Sequence, residues 1–323
     1  MEDRSKLEVN AVLALDFGGT KLAAAVVDLN SGRILAEVRR SAPTAAGAGA
    51  SISAMFEMGS QVLIESGQLQ PARVGISFGG PVSSDRKTVL MSNHVAGWEG
   101  RQLPRLAEEA FDCSVFMDND ANAAALGAWH YDTYCEPDHM IYLQVSTGIG
   151  SGLILNRSLY RGKSLAGEVG HMTVVPQGPE CVCGKHGCLE SLCAGWAIAR
   201  AGREALQTAS ISSPLYHLSQ GQPNLVDARL VIDAARAGDA QAQEITRVAF
   251  TALGIAIANV ISLFDPGIDV LGGGVTRAEA EMRAVIEPVI AGELHPLFQN
   301  RCRLEFSKLN GKETLLGAAL LDS

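Results

Sequence analysis

The stretch Val12-Leu13-Ala14-Leu15-Asp16-Phe17-Gly18-Gly19-Thr20-Lys21 is a short apolar run that ends in an acid and two glycines. Such a run, bounded by glycine, reads as a buried strand over residues 12–16. The glycines permit a tight turn whose N–H groups face a phosphate, with Gly18, Gly19, Thr20 and Lys21 around it. Thr20 adds a hydroxyl, and Asp16, at the end of a buried strand, is placed to hold hydrated Mg²⁺. A plain hairpin turn is the competing reading of the same residues. The chain has no G-x-x-x-x-G-K-[ST] segment, which excludes a Walker-type phosphate loop.

Outward from this turn, residues 22–29 read as a second strand and Asn30-Ser31-Gly32 as a turn into a third, 34–40. A small-residue loop over 43–49 precedes a helix over 51–66. Residues 74–78 form a strand closed by Gly79-Gly80-Pro81. A helix over 103–110, a strand over 115–118 and a helix opening at Asp120 follow. The plan restarts at Met140: a strand over 140–145 enters Ser146-Thr147-Gly148-Ile149-Gly150-Ser151-Gly152, with a partner strand over 152–155. The chain is then mainly helical to Phe264, and a strand over 269–271 ends in Gly272-Gly273-Gly274. Alternating strands and helices make an α/β protein. The repeated plan, with no low-complexity linker, implies two lobes hinged around a central cleft: an N-terminal lobe over 1–130 and a C-terminal lobe over 131–310.

Bulk properties narrow the function. At 323 residues the chain can bury a large core. Its net charge is −9 and no run of Lys and Arg is present, so no nucleic-acid partner is expected. Nucleotide phosphates can still be held by backbone N–H groups and a metal ion. The first ten residues are charged and lack an apolar core, so no signal peptide is expected. The longest apolar run, 248–264, is interrupted by Thr251, Gly254, Asn259 and Ser262 and falls short of the roughly 20 residues of a spanning helix. It reads as a buried helix, with no membrane association. Seven cysteines, three of them within eight residues, fit a metal site in a reducing, cytoplasmic compartment better than a disulfide framework.

Four segments carry chemistry. The second glycine-rich turn, with Thr147 and Gly148, would grip phosphates from the lobe opposite Gly18-Gly19. Gly272, Gly273 and Gly274 offer a third close approach, under a base or ribose. Asn119-Asp120-Ala121-Asn122 lies at a strand-to-helix junction, where Asp120 either caps the helix or serves as a base toward an attacking hydroxyl. The cluster Cys181-Val182-Cys183-Gly184-Lys185-His186-Gly187-Cys188 follows His171 by ten residues. Three thiolates and one imidazole suit a closed, structural Cys₃His zinc site, and His186 competes with His171 as the fourth ligand. Glu168 and Glu190 flank the cluster and are candidates for binding hydroxyl pairs.

Together, LALDFGGTK and CVCGKHGCLE make the chain resemble the ROK family of repressors, open reading frames and kinases, over about residues 13–320. The resemblance implies an actin-like ATPase (ribonuclease H-like) fold and a homodimer, with sugar in the interlobe cleft and ATP nearby. It implies that Asp120 is the catalytic base and that Asn119, Glu168, His171 and Glu190 face the sugar, with Gly80 on the same side. It also implies that His171 joins Cys181, Cys183 and Cys188 at the zinc. A terminal helix, within about 311–323, would return to the first lobe. Many members carry N-L-P-G-W, whose Asn binds sugar; alignment on Gly97-Trp98 puts His94 there, with Asn93 one position earlier.

The expected activity is phosphorylation of a hexose by ATP with Mg²⁺, glucose at the 6-hydroxyl first. N-acetylmannosamine and N-acetylglucosamine are alternatives. A sugar-responsive regulator of the same family would carry a helix-turn-helix domain, for which about fifteen residues ahead of Asp16 leave little room. A sugar-binding protein without turnover is opposed by the intact Asp16, Thr147 and Asp120.

Overall fold

The computed structural model describes residues 10–92, 95–133 and 135–322. Strands β1 (Ala11–Phe17), β2 (Lys21–Asp28) and β3 (Arg33–Ser41) form an antiparallel meander. Helix α1 (Gly47–Glu65) crosses to β4 (Arg73–Phe78), parallel to β1. Helix α2 (Leu103–Phe111) leads to β5 (Val115–Asn119), parallel to β4, and helix α3 (Asp120–Tyr131) follows at once.

The second sheet repeats this plan. Strands β6 (Met140–Val145), β7 (Ile149–Leu155) and β8 (Ser158–Tyr160) are the meander. Helices α4 (Glu190–Cys193), α5 (Gly195–Leu206), α6 (Pro214–Ser219), α7 (Ala228–Arg236) and α8 (Ala240–Phe264) come next. Strand β9 (Ile268–Gly272) pairs in parallel with β6, helix α9 (Glu279–Glu293) crosses over, and β10 (Arg303–Phe306) pairs in parallel with β9. Helix α10 (Glu313–Leu320) ends the fold. The strand orders, β3-β2-β1-β4-β5 and β8-β7-β6-β9-β10, match position for position. The expected two-lobed α/β architecture of the actin-like kind is therefore present.

Strand periodicity explains how each sheet is covered. Leu13, Leu15 and Ile76 face Met55 and Met58 of α1, while the alternate residues Val12 and Ala14 face Leu315, Leu316 and Ala319 of α10. In the second sheet Ile141 and Leu143 pack with Phe250, Leu253 and Ile257 of α8, and Met140 and Tyr142 with Ala124, Ala125 and Ala128 of α3. Helix α3, which follows the first sheet, thus covers the second; α10, which follows the second, covers the first. The two cross in direct backbone contact. A Cβ on Gly317 would lie 1.6 Å from the carbonyl oxygen of Ala123, and one on Gly127 would lie 2.2 Å from that of Glu313.

Four elements differ from the sequence reading. Strand β7 begins at Ile149, three residues before the expected start, so Gly150 is a strand residue as Gly152 is. Their missing side chains admit α3: a Cβ on Gly152 would lie 2.4 Å from that of Ala125, and one on Gly150 2.9 Å from that of Ala121. Strands β8 and β10, of three and four residues, are too short for alternation to reveal. Helix α8 has 25 residues and is long and apolar enough to span a membrane. Its buried face, which includes Phe250, Leu253 and Ile257, forms the core of the second lobe.

The backbone crossing makes Gly317→Ala costly, since neither helix can withdraw without uncovering a sheet. Urea denaturation is expected to show a loss of about 3 kcal/mol, at the upper end for overpacking. Gly292→Ala, in α9 with open space around it, is expected to be neutral or slightly stabilising.

Candidate active site

The C-terminal ends of β1 and β5 and the turn after β6 open on one cleft of about 560 Å³. It is lined on one side by Asp16, Gly18, Gly19, Thr20, Lys21, Gly80, Asn119 and Asp120, and on the other by Ser146, Thr147, Gly148, Glu168, His171 and Glu190. Ligands in open α/β sheets bind outside the carboxyl ends of the strands, and this cleft has that position.

Asp16, the last residue but one of β1, lies beside Ser77 of β4, its partner in register, whose Oγ donates to Asp16 Oδ1 at 2.9 Å. Burial pushes the Asp16 carboxyl up to about 6, against the Ser77 hydroxyl and the positive charge of Arg39. Asp120 is the first residue of α3. The cap is its neighbour: Asn119 Oδ1 accepts the Asn122 N–H at 2.8 Å. Asp120 Oδ1 accepts the Ala121 N–H at 2.9 Å and an amide N–H of Asn119 at 3.2 Å. Its Oδ2 has one weak contact, with Gln144 Nε2 at 3.4 Å. Burial, then the nearby Asp16, push the Asp120 carboxyl up to about 7; its backbone hydrogen bond opposes them and Glu168 adds a little.

Across the cleft, the turn Ser146-Thr147-Gly148 rests on the start of α5. The N–H groups of Gly195 and Trp196 donate to the carbonyls of Ser146 and Thr147 at 2.8 and 3.3 Å. Glu190, at the start of α4, accepts the Ile149 N–H through Oε2 at 2.9 Å, so one of its oxygens braces this turn. Glu168 is exposed as a residue, yet its carboxyl sits among cleft groups. Desolvation raises its proton affinity, His171 lowers it and Glu190 raises it.

The glycines of β9 have a different use from the expected one at one position. Gly272 is buried, and a Cβ there would lie 2.0 Å from the Tyr142 hydroxyl oxygen. Its missing side chain makes room for Tyr142. Gly273, at φ 99°, turns the chain past the Val145 carbonyl, and Gly274 is exposed beside Ser146. Neither lines the cleft itself. Asn93 and His94 lie outside the described residues.

Below the cleft, His171, Cys181, Cys183 and Cys188 bring four ligand atoms within 4.8 Å of one another. Cys181 Sγ is 3.6 Å from His171 Nδ1, and Cys183 Sγ is 3.7 Å from Cys188 Sγ. Three thiols and one imidazole around one point are the donor set of a closed tetrahedral zinc site, and the residues fit that ion. The loop folds this way because Gly184 and Gly187 take φ 83° and 72°, with Gly187 pressed against the Val175 carbonyl. His186 stands outside the group, its Nδ1 3.2 Å from the Gly178 carbonyl oxygen.

Sequence reading missed Ser77 and Gln144. Ser77 and Gln144 are polar residues inside apolar strands, a detectable signal.

The ROK family model matches residues 12–323. This chain belongs to the ROK family. It is 32% identical to a glucokinase of Thermotoga maritima over 309 residues, covering 95% of this chain and 96% of that one. It is 33% identical to an N-acetylmannosamine kinase of Yersinia pseudotuberculosis over 275 residues, covering 85% of this chain and 86% of the other. Among solved structures, a ROK glucokinase of Streptomyces griseus, in complex with glucose and AMPPNP, superposes with a TM-score of 0.83 at 31% identity. That match covers 96% of this chain and 98% of the other.

The geometry of the cysteine knot separates the two histidines. Metal analysis by plasma mass spectrometry is expected to find one zinc per chain, falling to a small fraction in Cys183→Ser and in His171→Ala. His186→Ala is expected to retain it.

Proposed function

We propose that this ROK protein is an ATP-dependent hexose kinase, with glucose phosphorylated at its 6-hydroxyl. The observation that carries the reading is Asp120, whose weakly engaged Oδ2 lies in a cleft between two glycine turns. Its raised proton affinity supports a base near neutrality. The relatives' glucokinase activity supports the choice of sugar.

In this reading Glu168, His171, Asn119 and the free oxygen of Glu190 hold the sugar hydroxyls, with Gly80 against the ring. Asn93 or His94 adds a further contact. The turns Gly18-Gly19-Thr20-Lys21 and Thr147-Gly148 grip the phosphates of ATP from opposite sides, and Gly273-Gly274 flank the nucleoside. Asp120 accepts the proton of the attacking hydroxyl as its oxygen bonds to the γ-phosphorus. The bond from that phosphorus to the β,γ-bridging oxygen breaks, and ADP leaves. Mg²⁺, bound with ATP, would neutralise phosphate charge, with Asp16 as its protein-side holder. Zinc in the cysteine knot would fix His171 against the sugar. The hinge between lobes 1–130 and 131–310, with 311–323 returned to the first, would let the cleft close on both substrates.

Glucose and N-acetylmannosamine give opposite outcomes in one comparison. A panel of hexoses and N-acetylhexosamines with ATP, ranked by kcat/KM, is expected to put glucose first; a preference for N-acetylmannosamine would reassign the substrate. Asp120→Asn is expected to lower kcat about 10² to 10⁴-fold with sugar binding retained, and near-normal turnover would refute its role. A base must be unprotonated, so kcat/KM of the wild type is expected to fall about tenfold per unit as pH drops below about 7.

A further inference from the structure

Asp118 is 1% exposed, one of the most buried acids among the described residues. It sits two residues before Asp120. A buried carboxylate persists only when its lone pairs are occupied. Three donors occupy these. Oδ1 accepts the Asn119 N–H and an amide N–H of Asn122, each at 2.8 Å. Oδ2 accepts Nε–H of Arg161 at 2.6 Å.

The two ends of this ion pair belong to different lobes. Asp118 is the last residue but one of β5 in the first sheet, while Arg161 immediately follows β8 of the second. Arg161 also begins the segment that carries one wall of the cleft. Its carbonyl accepts the N–H groups of Ser164 and Ala166 at 2.8 and 3.3 Å, and Ser164 through Glu168 line the cleft. Within that segment Ser164 takes φ 100°, a region that a residue with a side chain adopts only when its surroundings impose it. The far end is fixed separately: Ser151 Oγ donates to the Gly167 carbonyl at 2.6 Å.

One carboxylate therefore holds three things at once: the backbone of Asn119, the side chain of Asn122 in the first turn of α3, and the root of the segment 161–168. The first two set the direction in which Asp120 leaves the helix. The third sets where Glu168 stands. We propose that the Asp118–Arg161 pair is a positioning latch across the cleft, which fixes the base-bearing end of α3 relative to the sugar-side segment 161–168. Neither residue lines the cleft, so neither is a catalytic residue. The inference deepens the kinase reading and rests on it for the kinetic consequence, while the latch itself is a property of the fold.

The contact is a single N–H, not a two-pronged one, so a lysine amine, one atom farther along the side chain, can restore the charge pair. This separates a positioning role from a merely structural one. Arg161→Met is expected to lower kcat about 10 to 100-fold with glucose and ATP, through misplacement of the base. Arg161→Lys is expected to recover most of the loss. Asp118→Asn with Arg161→Met is expected to be no slower than the slower single variant, because the pair acts as one unit. This double variant also leaves no unpaired buried charge, and so keeps the test open if Arg161→Met does not fold. Amide exchange by mass spectrometry reads the latch without turnover. Arg161→Met, or the double variant in its place, is expected to exchange at least tenfold faster both at 119–122 and at 162–168.

Kinetics of Arg161→Met within twofold of wild type would overturn the proposal, as would losses that multiply in the double variant. Faster exchange in one of the two segments alone would also overturn it. A wild type that phosphorylates no hexose would overturn the kinase reading instead. The exchange measurement then decides the latch by itself: joint acceleration supports it and unchanged exchange refutes it.

Discussion

Two carboxylates from different strand ends, Asp16 near the end of β1 and Asp120 just after β5, face one cleft; burial raises the proton affinity of both, and the charge of Asp16 raises that of Asp120 further. Burial disfavours the charged form of each acid, and at Asp120 the like charge of Asp16 adds to that cost, so Asp16 is raised to about 6 and Asp120 to about 7. The rest of the site answers that constraint. Ser77 donates to one acid, the Ala121 N–H and the amide of Asn119 to the other, and Arg39 lies near enough to lower the first. What is left, a carboxylate oxygen weakly engaged by Gln144, is what proton abstraction from a hydroxyl requires.

Holding these acids in place falls to the crossing of α3 and α10. Each helix covers the sheet of the lobe that did not lead into it, so the lobes are joined through two helices in backbone contact. Glycines at 127 and 317 are there because any side chain would push the helices apart. Asp120 is at the end of one of those helices and Thr314 near the start of the other reaches the cleft. Relative motion of the lobes therefore acts on the site through the same two helices that stabilise it.

Much of this was legible in the chain. The acid and paired glycines at 16–19 marked the end of a buried strand, and the restart at Met140 implied a second sheet on the same plan, as found. The spacing of Cys181, Cys183 and Cys188 identified a metal-type cluster, although it left His171 and His186 undecided. Only the fold separates them, since it turns His186 toward the Gly178 carbonyl. Glycines were the main source of error. At 272 the glycine looked like part of a ligand loop but makes room for Tyr142, and at 150 it lines the cleft while also admitting Ala121. A missing side chain signals close approach without saying what approaches. Capping was similarly ambiguous: Asn119 and Asp120 both suit a helix start, and only the geometry assigns the cap to Asn119 and frees Asp120.

The electrostatics of the two acids can be read without substrates. Carbon-13 NMR titration of the Asp120 carboxyl, with no nucleotide or metal present, is the most direct measurement, made on the wild type and on Asp16→Asn. The expected result is an apparent pKa near 7 in the wild type, falling when Asp16 is neutralised. A value near the ordinary carboxylate range of about 4 in both proteins would contradict the account.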